Sequence, residues 1–284
     1  MEHPSPDAFL ASAAAGSLSG GPLAVVLAEQ RYMVRETVAR MLRLGAAAVI
    51  VAGTETADLF REGLPEGARV IPVRADLDRP GGAAAVLNAV GARWPGRWIA
   101  WAFNGEFLFF PWCETRVLAD ITTFLAEERR RILYCYALDL YADPLPADGT
   151  APEEAGLRMD VSGYHAFPKE QGWLDVYGGL GWRFEGMIPA AQQHIGRASL
   201  YRSDPEVPLG PELRFAKLAY ASVSCPWHHN PTGAVMSLRR ARQLFANPGF
   251  EAVRRKLVWA GSRPFDWSSA QLLELGMIEP GQWF

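Results

Sequence analysis

LAVVL at Leu23–Leu27, AAVIV at Ala47–Val51, RVIPV at Arg69–Val73 and WIAWA at Trp98–Ala102 are four short, mostly apolar runs separated by longer segments. Each is apolar at consecutive rather than alternate positions, a pattern that suits a strand buried on both faces, as in a parallel sheet covered by helices. Between the first two runs Val34, Val38, Met41 and Leu42 recur at helical spacing, and Gly45 follows where the helix should stop. Before the fourth run Gly81 and Gly82 open a second helix, Ala83 to Val90. Strand and helix alternate with short connections, which predicts an α/β fold with a mixed, mostly parallel sheet flanked by helices.

Outward from this core the pattern loosens. Phe107 to Phe110 is another apolar run, and Val117, Leu118, Ile121, Phe124 and Leu125 form a helical stripe ending in the charged stretch Glu127 to Arg131. Ile132 to Leu140 reads as a long strand, and the Pro-rich acidic stretch from Asp143 to Glu154 as a boundary or insertion. Met159 to Pro211 is rich in Gly, aromatic and polar residues, which predicts loops and short strands that complete the sheet and line a cleft. From Thr232 onward helical spacing returns in Val235, Leu238, Ala241 and Leu244, then in Val253 and Leu257, then in Leu272 to Leu275. The expected organisation is a flexible tail over 1–20, a nucleotide-binding α/β half over 21–142, an acceptor-side part over 143–231, and C-terminal helices over 232–284.

The 284 residues suffice for a large core, and 49% hydrophobic with 21% charged residues is a globular balance. A formal net charge of −3 argues against a nucleic-acid partner, which needs a basic surplus. Three scattered cysteines, Cys113, Cys135 and Cys225, have no CxxC spacing and suit a reducing, cytoplasmic setting. The first twenty residues lack the basic start of a signal peptide. No segment approaches the roughly 20 apolar residues of a transmembrane helix, so a soluble protein is expected, with peripheral membrane contact compatible.

The chemistry concentrates between Arg79 and Glu106. A Gly-led helix containing Asn88 runs into the strand Trp98–Ala102, followed by Phe103, Asn104, Gly105, Glu106 and Phe107. This segment resembles family 2 glycosyltransferases of the GT-A fold, in which a comparable strand ends in Asp-x-Asp. The resemblance extends to Leu27–Gly45 with Glu29 after the first strand, Pro111–Arg116, the strand ending Asp139–Tyr141, and the Tyr177–Gly179 turn. It continues through Trp182 and Arg183, Cys225–Asn230, and the closing Glu279 to Phe284. It covers roughly residues 23 to 284 and is closest to a branch found in bacterial surface-polysaccharide pathways.

The resemblance implies a cytoplasmic enzyme that moves a sugar from a nucleotide-diphosphate donor to a polysaccharide or glycolipid acceptor. Glu29 is then expected near the nucleotide, Asn104 with Gly81 and Gly82 near the diphosphate, and Gly178, Gly179 and Arg183 near the phosphate, sugar or acceptor. Phe103 and Gly105 stand where the family carries its two aspartates, leaving Asn104 and Glu106 as the oxygen ligands of that segment. A divalent manganese or magnesium ion would rest on these two and on His228 or His229, and would bind only with the donor. Asp175, or Glu185, would take the acceptor's proton. The bland readings stand beside these. Asn104 and Gly105 suit a turn, the histidines suit structural hydrogen bonds, and Asn230 with Pro231 suits a helix start. The alternative function is a non-catalytic nucleotide-sugar-binding pseudo-transferase that acts as a partner protein.

Overall fold

A computed structural model describes residues 2–18, 20–54, 56, 67–145, 152, 156–168, 174–215 and 230–283. The chain forms two units, one of Met1–Phe107, Thr115–Leu133 and Ala198–Ser222, the other of Leu108–Glu114, Tyr134–Arg197 and Val223–Phe284.

The first unit is built on the four runs quoted above. They become β1 (Leu23–Ala28), β2 (Ala48–Gly53), β3 (Val70–Arg74) and β4 (Trp98–Phe103). β1 pairs in parallel with both β2 and β4, and β2 with β3. Every residue of β1 and β2 is buried, as their unbroken apolar runs demand. A later strand, β10 (Gly196–Arg202), pairs antiparallel with β4 through Leu200, Tyr201 and Arg202, giving the order β10, β4, β1, β2, β3. The indole of Trp101 donates to the Ala198 carbonyl at 2.7 Å, which satisfies the one polar atom of a fully buried ring.

α3 (Val34–Arg43) packs on β1 and β2 and ends before Gly45, whose φ of 84° is the left-handed geometry that stops a helix. α4 (Gly82–Arg93) and α5 (Leu118–Glu127) fall where helical spacing predicts them. Residues 2–18 differ from the flexible tail expected over 1–20. They contain α1 (Pro6–Leu10) and α2 (Ala13–Gly16), capped by the hydroxyls of Ser5 and Ser12. Phe9 anchors α1 beside α4 with 1% exposure, and the backbone around His3 bonds Pro72 and Arg74. Serine caps and one phenylalanine outweigh the small-residue composition that reads as a tail.

The second unit centres on β6 (Ile132–Tyr141), whose residues from Tyr134 onward belong to it. β7 (Arg158–Asp160) pairs with β6, and β12 (Ser262–Pro264) with β7, both antiparallel. β11 (Thr232–Ser237) runs parallel to β6 in the register Thr232 to Tyr134 through Ser237 to Asp139. This strand corrects the expectation of helix from Thr232 onward, and Asn230 accordingly precedes a strand instead of capping a helix. Six buried residues, two of them Gly and Ala, carry too little β-branched signal to announce a strand, and the pairing with β6 supplies it. The helices expected later are present as α7 (Arg239–Ala246), a 3-10 helix over Pro248–Lys256, and α8 (Ser269–Glu274). β8 (Tyr164–Pro168) and β9 (Leu174–Gly178) form a separate antiparallel hairpin followed by α6 (Gly179–Arg183). The remaining strand, β5 (Glu106–Phe109), straddles the boundary of the units.

The start of α8 holds a titrating contact. Glu114 accepts from the N–H and the hydroxyl of Ser269, both at 2.6 Å. Burial alone would raise its carboxyl, but the Ser269 bonds, its own N–H and the Cys113 thiol hold it below the ordinary glutamate value. A carboxylate whose folded pKa is depressed contributes stability that is complete above its unfolded pKa, about 4.3, and is lost as pH falls through the folded value. Urea midpoints measured against pH should therefore fall on acidification below about pH 5, and Glu114→Gln should flatten that acid limb. An identical acid limb in the variant would remove Glu114 from the account.

Candidate functional site

The order of strands in the first unit creates a switch point. From β1 the chain passes to β2 and β3 on one side and returns to β4 on the other, so the strand order reverses between the carboxyl ends of β1 and β4. Ligands of open α/β sheets sit at such switch points. Glu29 is the first residue beyond β1 and Asn104 the first beyond β4, and the parallel pairing puts both at the same edge, as expected.

Asn104 links the two loops of the switch point. Its Nδ2 donates to the Tyr32 carbonyl at 3.0 Å and its Oδ1 accepts from the Gln30 N–H at 3.4 Å, which fixes the loop after Glu29 to the end of β4. Gly105, at φ 73°, donates its N–H to the Thr37 hydroxyl on α3 at 3.0 Å. The turn that Asn-Gly favours is thus present and anchored on three sides. Glu106 is 2% exposed, and its Oε2 accepts from the N–H of Phe103 at 2.8 Å, closing its own turn.

α4 starts from the loop that leaves the carboxyl end of β3. Gly81 holds its N-cap position at φ 75°, and no side chain caps that end. A Cβ on Gly82 would lie 2.3 Å from the Asp76 carbonyl oxygen, so only glycine lets the helix begin this close to the turn before it. Asn88 binds backbone at both ends of its amide: Nδ2 donates to the Leu209 carbonyl at 2.9 Å and Oδ1 accepts from the Leu209 N–H at 2.8 Å.

Of the four expected ligands of a divalent cation, Asn104 and Glu106 are described. The Asn104 oxygen and one Glu106 oxygen face backbone N–H groups, and a hard cation needs several convergent oxygens. Among the described residues no three His, Cys, Asp or Glu side chains converge on a point. His228 and His229 lie outside the described residues.

The other expected residues belong to the second unit. Asp175 lies opposite Phe167 in the β8–β9 pair, its side chain outside what is described. Glu185 is exposed after α6. The Gly178–Gly179 turn approaches a carboxylate of the protein. A Cβ on Gly179 would stand 2.4 Å from Asp139 Oδ2, the oxygen that accepts the Leu180 N–H at 2.8 Å. The other oxygen of Asp139 takes Arg240 Nη1 at 3.1 Å. Burial pushes the Asp139 carboxyl up, while Arg240 and the Leu180 N–H pull it back.

Arg183, expected beside a phosphate, is held internally. Its Nη1 reaches both oxygens of Asp160, at 2.9 and 3.1 Å, and its Nη2 donates to the carbonyls of Lys256 and Leu257. Its guanidinium lies 4.9 Å from the Trp259 ring centroid. Asp160 also accepts from the Tyr141 hydroxyl and, at 2.7 Å, from the Trp259 indole. Burial, with Asp160 as neighbour, pushes the Tyr141 phenol up. Reading the sequence for ligands missed Asp139, Asp160 and Arg240. One signal was present: Asp139 is the sole charge within the otherwise apolar or aromatic β6, and a buried carboxylate requires a partner.

No family model matches the chain, and no curated protein matches it. Among solved structures, UDP-glucose pyrophosphorylase from Acinetobacter baumanii is similar at a TM-score of 0.36 and 9% identity, over 84% of this chain and 98% of that one. A likeness this distant carries no functional inference. Among the described residues no helix is long and apolar enough to cross a membrane.

Proposed function

We propose that the chain binds a nucleotide-diphosphate sugar at the carboxyl edge of β1 and β4 and transfers the sugar to a polysaccharide or glycolipid acceptor. The observation that carries this reading is the switch point at the carboxyl ends of β1 and β4, bridged by Asn104 and flanked by Glu29. The amino end of α4, led by Gly81 and Gly82, begins beyond β3 in the same sheet and offers backbone N–H groups to a diphosphate. The bond from the anomeric carbon to the diphosphate breaks through an oxocarbenium-like state, the nucleotide diphosphate leaves, the acceptor hydroxyl oxygen forms the new bond, and its proton passes to a carboxylate. No step is assigned to a metal ion.

A second reading is a non-catalytic binding protein that keeps this switch point. Glu106 and Asn104 favour it, since the Asn104 oxygen and one Glu106 oxygen, expected to meet a metal-bound diphosphate, face backbone N–H groups.

Thermal unfolding tests the shared premise. Uridine or guanosine diphosphate should raise the melting temperature and the matching free sugar should not, because the diphosphate charge supplies most of the affinity. At a ligand concentration of about 100 Kd the stabilisation should be about 2.7 kcal/mol. Asn104→Ala should abolish the shift by releasing the Glu29 loop. Absence of a shift with every nucleotide diphosphate at millimolar concentration would end both readings. A shift without sugar transfer from any nucleotide sugar would leave the second.

A further inference from the structure

The second unit contains a cleft of about 470 Å³, within the range of small-molecule sites. The β8–β9 hairpin walls it with Tyr164 and, across the pair, Val176, while Tyr136 of β6 and Thr232 of β11 line it from the paired strands. Met277 and Glu279 complete it from the C-terminal segment. The backbone of Glu279 is fixed there, since its N–H donates to the Thr232 hydroxyl and its carbonyl accepts the Thr232 N–H, both at 2.9 Å.

The chemistry of this lining is selective. Two phenol rings offer flat faces, the Tyr164 hydroxyl donating to the Asp160 carbonyl at 3.1 Å; Thr232 offers a hydroxyl, and Glu279 is the one acidic side chain among the described lining residues, none of which is Lys, Arg or His. Burial, and then the Glu279 carboxylate, push the Tyr136 phenol up, so that charge is felt within the cleft. A pyranose ring can rest an apolar face on a phenol and give its hydroxyl protons to Glu279 in charge-assisted bonds. A uronate or phosphate would meet like charge, and none of the described lining residues is a cation.

We infer that this cleft binds an uncharged glycoside and rejects acidic sugars. The choice of a sugar over other uncharged rings rests on the transferase reading above.

The test uses the full chain labelled with 13C at its methionine methyls, the Met277 resonance being assigned through Met277→Leu. Methyl glycosides of glucose, galactose, mannose and N-acetylglucosamine are titrated to tens of millimolar, beside methyl glucuronide. At least one uncharged glycoside should shift Met277 and the glucuronide should not. Glu279→Gln should weaken that binding about tenfold, the loss of one charge-assisted bond, and Glu279→Lys should reverse the preference in favour of the glucuronide. A purely structural Glu279 would not produce that reversal. The inference is overturned if no uncharged glycoside moves Met277, if the glucuronide binds the native protein equally well, or if Glu279→Lys leaves the order unchanged. Nucleotide diphosphates added to the same samples separate the two readings. A nucleotide response without a glycoside response overturns the cleft alone, and a glycoside response without a nucleotide response overturns the transferase while supporting the cleft as a sugar site.

Discussion

Arg240→Met should lower the unfolding free energy by about 3–5 kcal/mol, the cost of leaving a buried carboxylate without its cation. The Asp139 side chain is 1% exposed and that of Arg240 9%, so water cannot take over the vacated role. The guanidinium also holds backbone together, donating to the carbonyls of Gln192 at 2.8 Å, His194 at 3.2 Å and Ala137 at 3.3 Å. β6, the loop before β10 and α7 therefore share one cation. Asp139→Leu combined with Arg240→Met should cost less than the two single changes added together, by at least about 2 kcal/mol, because the double variant buries no orphan charge. Urea unfolding of the four proteins measures this directly. Strict additivity would mean that Asp139 and Arg240 do not depend on each other.

Gly179→Ala should cost about 3 kcal/mol, from two separable sources. The residue sits at φ 62°, where a side chain adds roughly 1 kcal/mol of backbone strain. The added methyl would also lie 2.4 Å from Asp139 Oδ2, forcing apart the carboxylate and the Leu180 N–H, a loss of about 1–3 kcal/mol for a buried group. Gly186 is the control, since a Cβ there meets nothing within 4 Å and its substitution by Ala should be close to neutral. Equal effects at the two positions would show that the Asp139 contact does not constrain the turn.

The strands β1 to β4 and the helices among them were legible because their cause is local. A strand buried on both faces must be apolar at every position, and short connections leave no other way to cover it. β11 was not legible, because Thr232 to Ser237 becomes a strand through its partner β6, nearly a hundred residues earlier in the chain. The site divides in the same way. Glu29 and Asn104 could be assigned to one edge because chain order alone dictates it. That Arg183 faces Asp160, and that the Gly178–Gly179 turn faces Asp139, depended on the folding of distant segments onto one another. Glycines announce a close approach without announcing what is approached, and here it is a carboxylate of the same chain. Residues 5–17 show the reverse error, where composition was read and the Ser5 and Ser12 caps were not.

The pairing of β10 with β4 has a consequence during synthesis. A ribosome delivers the chain from its amino end, so Trp98 to Phe103 emerge long before Ala198 to Arg202, with much of the second unit translated in between. Throughout that interval the outer edge of β4, whose side chains are all apolar, presents unclaimed N–H and C=O groups beside the Trp101 indole, whose acceptor, the Ala198 carbonyl, has yet to be made. Such an edge is a template for any other nascent strand. Polysomes crowded with this message should therefore favour chain-to-chain association, and slower initiation or a trigger-factor-like chaperone should raise the soluble yield more than any change made to the finished protein.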